Sequence, residues 1–288
     1  MITYKCPNCG AQLNISDAGG FTCPYCRTRA FMSDSELRGN EEFRKKIVAY
    51  YMAKASEKDN DYSDDNLWEH NGNAEYEMEN GQFLSVAYMD KYVYPQMICY
   101  LARRNMVYVF EDQTQADLFV RGLNRLVFPE ADMKLDRCFP VMKQRVALKG
   151  GKEALVFIRK PYFYPVEIFA PFKAEHLAWV ISRMENICCA LEYSDITHGD
   201  ISTSSMLVNP VTHEGMLFGD WRFTDRKRTN VDLEHIRKTA KAIMGGDVAI
   251  PELKEFLNSV PKADAYADFE YWDSVIEKGF GGHKFIRM

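Results

Sequence analysis

The chain has 288 residues, of which 47% are hydrophobic and 13% aromatic, so it can bury a sizeable core and is not wholly disordered. Its 41 acidic and 36 basic residues give a formal net charge of −5, which disfavours binding to nucleic acid or a membrane surface through bulk charge. The sequence contains no apolar run of the about 18 residues needed to cross a membrane, and the N-terminus MITYKCPNCG has no apolar signal core, so we expect a cytoplasmic protein.

The N-terminal segment, residues 1–31, carries two Cys-x-x-Cys pairs separated by thirteen residues. Each pair can place two thiolates on one turn, and two such turns offer Zn²⁺ four soft ligands in tetrahedral geometry. Two disulfides or a redox pair are the alternatives. We favour zinc because so short a segment has too little core to fold without a staple. The predicted ligands are Cys6, Cys9, Cys23 and Cys26.

The intervening stretch AQLNISDAGGFT is strand-like and has a Gly-Gly turn. With the cysteine spacing, it makes this segment resemble the zinc-ribbon family over its whole length. The resemblance implies a closed, structural zinc site in a module that binds proteins as readily as nucleic acid. The other cysteines lie in apolar contexts and are predicted to be small buried hydrophobes rather than catalytic or disulfide-bonded residues. They are Cys99, Cys138, Cys188 and Cys189.

Residues 32–80 are predicted to form a connector. A helix with Ile47 on its apolar stripe comes first, and a strongly acidic stretch follows over 56–80. We interpret the acidic stretch as a solvated linker. The alternative is an acidic tether that docks on the basic run at 226–228.

Residues 81–170 read as strands with one helix between them. Short stretches rich in aromatic and β-branched residues predict the strands, and apolar residues at helical spacing predict the helix. An antiparallel sheet with one inserted helix is an α+β pattern. The predicted strands cover 82–89, 95–103, 105–112, 138–148 and 153–160, and the helix covers 113–127.

Helices dominate from residue 173 onward. A long amphipathic helix over 173–195 runs directly into the stretch ITHGDISTSSML. Three further helices are predicted over 231–247, 252–260 and 269–280, the first of them ended by two glycines.

The stretch after the long helix contains His198-Gly199-Asp200, then a strand–turn–strand pattern over 206–217, then Gly219-Asp220-Trp221. This order can bring two carboxylates to one place. Phosphoryl transfer needs one carboxylate near the attacking hydroxyl and another that holds Mg²⁺ across the phosphates. The alternative is that Asp200 caps a turn and Asp220 is a surface acid.

The ordered set of helix, His-x-Asp, hairpin and Asp-Trp resembles the protein-kinase-like superfamily over residues 81–288. The resemblance implies a two-lobed α+β fold with a β-rich N-lobe at 81–170 and a helical C-lobe at 171–288. It places Asp200 at the base position, with His198 in the same motif, and Asp220 at the Mg/ATP position. Asp232 stands at the head of the next helix, where such domains often have an aspartate.

The same motifs are more similar to the aminoglycoside and choline phosphotransferase branch than to His-Arg-Asp with Asp-Phe-Gly. The ending GFGGHKFIRM resembles bacterial kinase-like proteins, some of which are catalytically degenerate.

Several departures from that pattern weaken the case for catalysis. Ser205 stands where the loop asparagine is expected, and serine is a poorer metal ligand than an amide carbonyl. The strand MVYVF lacks the phosphate-binding lysine, and no glycines cluster between residues 81 and 104. The helix that follows has no central glutamate, and only eleven residues separate Asp220 from Asp232. Possible substitutes for the lysine, not favoured, are Lys91, Arg103 and Arg104.

Our leading hypothesis is therefore a pseudokinase, or a strongly impaired kinase, that acts through a protein partner. The second is an active atypical Ser/Thr or small-molecule phosphotransferase that uses ATP and Mg²⁺, with Asp200 as base and Asp220 as metal ligand. A third, a zinc-dependent regulator that binds nucleic acid, is disfavoured by the acidic balance.

Overall fold

The computed structural model describes residues 69–129, 135–226, 230–246 and 249–283, the backbone of four short strands near the N-terminus and three helical positions between 45 and 49. The four strands are β1 (Ile2–Lys5), β2 (Gln12–Ile15), β3 (Phe21–Thr22) and β4 (Arg29–Ala30). Strand β1 pairs antiparallel with β2, and β3 pairs with β4.

Each Cys-x-x-Cys pair thus falls, in sequence, between two paired strands. The four predicted zinc ligands themselves lie outside the described residues, as do most of the acidic stretch and the basic residues Lys227 and Arg228. Of the predicted connector helix, Ile47 is helical and fully buried in the main core.

A six-stranded antiparallel sheet forms the N-lobe, in the order β5-β6-β7-β8-β10-β9. All five predicted strands appear, and their aromatic and β-branched residues suit a pleated sheet. The strands are β5 (Gly72–Glu77), β6 (Phe83–Tyr94), β7 (Met97–Ala102), β8 (Asn105–Phe110), β9 (Met142–Ala147) and β10 (Glu153–Ile158).

Strand β5 lies within the range predicted as a linker, so the sheet begins before residue 81. Its Asn73 and Glu75 side chains are exposed, whereas Ala74 and Tyr76 pack on the sheet interior. Alternation of this kind marks a half-buried edge strand. The acidic residues on its outer face gave the segment the composition of a linker.

The sheet is curled, so that its two edges meet at one end. Met78, just after β5, forms an antiparallel bridge with Leu148, just after β9. An ion pair of 2.8 Å between Lys149 Nζ and Glu77 Oε1 spans the same junction. The inside of the curl has a small apolar core of its own, separate from the main core. Its members include Val86, Tyr100, Val107, Val109, Val146, Ala154 and Val156.

Helix α1 (Gln113–Leu123) packs on the other face of the sheet. Its N-terminus is capped by Asp112, whose side chain accepts a hydrogen bond of 3.0 Å from the backbone N–H of Gln115. Phe119 enters an aromatic cluster with Tyr108, at a ring-centroid distance of 4.8 Å. This face belongs to the main core, which continues without a break into the C-lobe.

The C-lobe is helical, as predicted from residue 173 onward. Apolar residues at helical spacing bury one stripe of each helix. The helices are α2 (Ala174–Tyr193), α3 (Val231–Ile243), α4 (Pro251–Asn258) and α5 (Ala265–Phe280). Within the described part of the chain, no helix has both the length and the apolar character that a membrane crossing requires.

Small strand pairs in the C-lobe position the site. Strands β11 (Tyr164–Pro165), β13 (Met206–Asn209) and β14 (Glu214–Leu217) form one sheet, and β12 (Ile196–Thr197) pairs with β15 (Asp225–Arg226). The side chain of Asn209 accepts a hydrogen bond of 2.9 Å from the N–H of Val211, which shapes the predicted turn. The β13–β14 hairpin returns the chain to the loop that follows β12.

The cysteines outside the N-terminal segment are free thiols, with Cys99 and Cys188 buried and Cys138 and Cys189 half-buried. None is in a disulfide, as predicted.

Candidate functional site

Asp232 ties the loop after β12 to helix α3. Its carboxylate accepts hydrogen bonds of 2.8 Å from the backbone N–H of His198 and 2.7 Å from that of Gly199. Burial raises the pKa of Asp232 to about 6, although the two backbone N–H donors act to lower it. The N-cap residue of α3 is Asn230, so the Asp232 carboxylate anchors the loop and does not cap the helix.

His198 is fully buried under the loop. Its Nδ1 accepts a hydrogen bond of 3.1 Å from the N–H of Asp200, and its ring meets Trp221 edge-on at a centroid distance of 4.3 Å. Burial lowers the pKa of His198 to about 3, helped by the nearby His235. The imidazole is therefore neutral at pH 7, and it shapes the loop as an acceptor.

The Asp200 carboxylate faces the segment that contains Asp220. Its Oδ1 accepts from the hydroxyl of Ser202 at 3.0 Å, and its Oδ2 accepts from the N–H of Asp220 at 2.9 Å. Gly219 makes this approach possible, because it has φ +71° and a Cβ there would lie 2.8 Å from Asp200 Oδ2. Asp220 is only 2% exposed, so the surface-acid alternative is wrong.

Ser205 uses its hydroxyl to hold the loop. Its Oγ donates to the backbone oxygen of Asp200 at 2.6 Å and accepts from the N–H of Ser202 at 2.8 Å. A hydroxyl has one proton and two lone pairs, and here the proton and one lone pair are already engaged within the loop. The Ser205 side chain therefore holds the loop in shape, but it does not extend as far as an asparagine amide would.

The buried side chain of Arg222 donates hydrogen bonds to both oxygens of the Asp220 carboxylate. Nε of Arg222 donates to Oδ1 at 2.9 Å and Nη2 donates to Oδ2 at 2.7 Å. The Arg222 backbone N–H adds a third bond to Oδ1 at 3.1 Å. Both side chains are almost fully buried, at 1% and 2% exposure. This bidentate contact, in which two N–H groups donate to the two carboxylate oxygens, is a strong and directional form of ion pair.

Arg222 also reaches across to the N-lobe, where its Nη1 donates to Oε1 of Gln115 on α1 at 3.0 Å. Two further contacts hold α1 and the turn that follows it against the same segment. Arg125 donates to the backbone oxygen of Thr224 at 2.8 Å. At Gly122, a Cβ would lie 1.9 Å from the backbone oxygen of Trp221, so the helix touches the segment backbone directly.

The sheet surface above the two carboxylates is filled by neutral side chains. Tyr108 and Cys99 are both almost fully buried, at 1% and 2% exposure. Burial raises the pKa of both groups, and the charge of Asp200 raises each further, with that of Asp220 also acting on Cys99. A thiol and a phenol thus lie near the carboxylates, and Tyr108 is in the strand where a phosphate-binding lysine was expected.

The three residues considered as substitutes for that lysine, which the sequence did not favour, do not serve the site. Lys91, Arg103 and Arg104 all have exposed side chains, on β6 and on the turn between β7 and β8.

These residues do not fit a bound Mg²⁺ in the observed arrangement. Mg²⁺ takes carboxylate oxygens and waters in near-octahedral geometry, but the Asp220 oxygens already accept three hydrogen bonds from Arg222. Among the residues that the structure describes, no cluster of three or more His, Cys, Asp or Glu side chains could hold a metal ion.

The structure therefore brings together four of the predicted residues: His198, Asp200, Ser205 and Asp220. The sequence interpretation missed Arg222 and Gln115. A signal for Arg222 was present, since a basic residue two positions after Asp220 has the reach of a short-range ion pair. Nothing in the sequence singled out Gln115 among the polar residues of α1.

No protein-family model and no curated protein matches this sequence. Among solved structures, the kinase domain of a Toxoplasma gondii specific rhoptry antigen is similar, with a TM-score of 0.50 and 11% identity over 87% of this chain and 99% of that one. The ROP18 kinase domain in complex with AMP-PNP and sucrose has a TM-score of 0.48 and 12% identity, covering 83% of this chain and 95% of that chain.

ROP2 from Toxoplasma gondii, whose structure is described as a protein-kinase fold with no enzymatic activity, has a TM-score of 0.46 and 9% identity over 87% of this chain and 98% of that one. On the similarity to the rhoptry antigen domain, the chain described here has a two-lobed, protein-kinase-like fold with a curled sheet.

Proposed function

We propose that this chain is a pseudokinase: a kinase-fold module that does not transfer phosphate and acts by binding a protein partner. The observation that carries the proposal is the Arg222 guanidinium seated on the Asp220 carboxylate. A cation built into the chain holds the carboxylate that a kinase would use to bind Mg²⁺.

The energetics favour this state over a metal-bound one. Breaking a buried ion pair while leaving one charge buried costs about 3–5 kcal/mol. Binding Mg²⁺ at Asp220 would bring that cost and would also place the metal beside a guanidinium. The neutral Tyr108 and Cys99 provide no compensating cation for a phosphate group.

The test is calorimetric titration with ATP, with and without Mg²⁺, on the wild-type chain and on Asp220→Ala. We expect no Mg²⁺-dependent binding at millimolar ATP in either protein. Arg222→Met is titrated alongside them, because it removes the guanidinium from the Asp220 carboxylate while keeping a side chain of similar length. Mg²⁺-dependent binding that wild type shows and Asp220→Ala loses would instead support an active phosphotransferase with Asp200 as base.

We further propose that Cys6, Cys9, Cys23 and Cys26 hold a structural Zn²⁺. Support comes from the spacing of the two pairs and from the paired strands that flank each of them in sequence. Elemental analysis of the purified chain should give one zinc per molecule, and Cys6→Ser or Cys23→Ser should lower that content. Cys138→Ser, a half-buried cysteine elsewhere in the chain, is the matched control and should leave it unchanged.

The zinc ribbon would then supply one surface for the protein partner. The formal charge of −5 disfavours nucleic acid as the partner.

A further inference from the structure

A cavity of about 710 Å³ lies in the C-lobe, apart from the site around Asp200 and Asp220. Helices α2 and α5, strand β14 and the turn at 135–138 contribute its walls. Its volume is in the range of pockets that bind small organic molecules. The apolar part of the lining includes Pro129, Leu135, Tyr193, Tyr266 and Phe269.

Arg183 of α2 is the unusual group in this wall. Its Nε is buried and has no hydrogen-bond partner within the described part of the chain. Burial lowers the pKa of Arg183, and the charge of Glu214 only partly offsets that effect. Arg183 as a whole is half-buried, but a buried N–H that lacks an acceptor has a cost that a bound anion would remove.

Among the residues that the structure describes, Glu214 is the carboxylate whose charge acts on Arg183, and no hydrogen bond joins the two side chains. Glu214 is exposed and accepts a hydrogen bond of 2.8 Å from the hydroxyl of Thr212. The stem of Arg183 packs closely on Gly215, where a Cβ would lie 3.0 Å from Arg183 Cβ. Arg183 thus lies in the cavity wall with no carboxylate of the described residues bonded to its guanidinium.

Other cations add to the positive character of this region. Arg137 also lines the cavity. The thiol of Cys138, a further lining residue, has a pKa that burial raises and that the charges of Arg183 and Lys160 act to lower. Positive charge at one part of a mostly apolar cavity is complementary to a molecule with an anionic head and an apolar body.

We propose that this cavity binds a small amphipathic carboxylate, with Arg183 as the residue that receives the carboxylate group. The apolar walls take the body of the ligand, as an acyl chain or an aromatic ring. The inference is independent of the proposed pseudokinase function, and either can fail without the other.

The test uses defined probes on the full chain. Calorimetry would compare decanoate with decan-1-ol, which has the same apolar body without the charge, and with acetate, which is the head group alone. 2-Naphthoate is a second carboxylate, and its affinity relative to decanoate tells an aromatic occupant from an aliphatic one. We expect decanoate or 2-naphthoate to bind at one molecule per chain, and acetate and decan-1-ol to bind at least about tenfold more weakly.

Three variants locate the site. Arg183→Met should remove the advantage of decanoate over decan-1-ol, whereas Arg183→Lys should retain most of it. Asn186→Trp, one turn along α2 on the cavity wall, should block both ligands by filling the space. Arg121→Met, at an exposed arginine of α1, is the matched control and should bind like wild type.

Circular dichroism and melting curves would show that each variant is folded. The proposal is overturned if neither carboxylate binds at millimolar concentration, or if folded Arg183→Met binds decanoate as tightly as wild type. Equal weakening by Arg121→Met would overturn it as well, because the effect would then be one of net charge.

Discussion

At the scale of single residues, the contact between Asp220 and Arg222 is the most constrained feature of the site. The two side chains, separated by one residue, meet through two hydrogen bonds at a buried position, and the Arg222 backbone N–H adds a third. Burying such a pair is costly, and its attraction balances that cost only while both partners are present. An unfolding experiment can therefore measure the coupling energy between Asp220 and Arg222.

We expect Asp220→Asn and Arg222→Met each to destabilise the fold by about 3 kcal/mol, because each leaves a buried charge without its partner. The double variant should cost less than the sum by at least about 1 kcal/mol. Urea unfolding of the four proteins measures this coupling. A cycle on the exposed pair Lys149 and Glu77 is the control and should couple by about 1 kcal/mol or less. Additive effects at Asp220 and Arg222 would contradict the observed pairing.

His198 makes the stability of the fold sensitive to acid. The pKa of His198 is about 3 in the folded chain, against an ordinary value of 6.5. Its contribution to the unfolding free energy is therefore complete above pH 6.5 and is lost as the pH falls toward 3. At pH 5 the loss is about 2 kcal/mol. Asp232 acts in the opposite direction, because its pKa is raised from 3.8 to about 6 and protonation then favours the folded state.

The variant His198→Asn separates the two effects, since asparagine can still accept from the Asp200 N–H but does not titrate. The difference in unfolding free energy between wild type and this variant should shrink by about 2 kcal/mol between pH 7 and pH 5. Urea titrations at several pH values provide the measurement. Parallel stability curves for the two proteins would rule out a buried neutral histidine.

The partners of these residues differ in how far the sequence predicts them. Asp200 and Asp220 could be assigned because the predicted hairpin between them fixes their proximity through backbone pairing. The contact of Arg222 with Asp220 depends on side-chain torsions that leave no periodic trace in the sequence. The hydroxyl bonds of Ser205 are equally local, so the sequence showed a missing metal ligand but not what the serine does instead.

At the scale of elements, helix α1 is fixed to the C-lobe by close backbone contact. Gly122 has no room for a side chain, and Arg125 bonds to the carbonyl of Thr224. Here the helix meets the Asp220 segment through contacts that leave little freedom to shift.

Gly122→Ala tests this contact. In an exposed helix, the change from glycine to alanine stabilises by about 1 kcal/mol, but here we expect a loss of about 1–3 kcal/mol from overpacking. Denaturant unfolding gives the sign. Arg121→Ala, the exposed neighbour on the same helix, should change stability by about 0.5 kcal/mol or less. A more stable Gly122→Ala protein would show that α1 is loosely docked.

Most elements were predictable because their patterns are strong. The stripe on α2 and the aromatic strands β7 and β8 have one dominant period each. Strand β5 was missed because acidic residues occupy its solvent face, and its partner in the sheet is fixed only by the tertiary fold. The closure of the curl through Met78 and Leu148 joins residues far apart in sequence, so no local pattern could predict it.

At the scale of the whole molecule, one apolar core runs through both lobes. It includes residues of the sheet, helix α1 and helices α2 to α5. A core shared in this way couples the unfolding of the lobes.

We therefore expect a single unfolding transition. Far-ultraviolet circular dichroism, which follows mainly the helical C-lobe, and near-ultraviolet signals, which report aromatic packing in both lobes, should give the same midpoint in urea. Arg222→Met should lower that midpoint for both signals together. Two separate transitions in wild type would mean that the lobes are energetically independent.

The guanidinium on Asp220 has a consequence for how such a module is governed in a cell. A metal ion can be chelated, diluted or exchanged, whereas a charge that belongs to the chain is present at a fixed ratio for as long as the protein is folded. Under the proposed function, the surface offered to a partner would therefore not depend on the supply of magnesium or ATP.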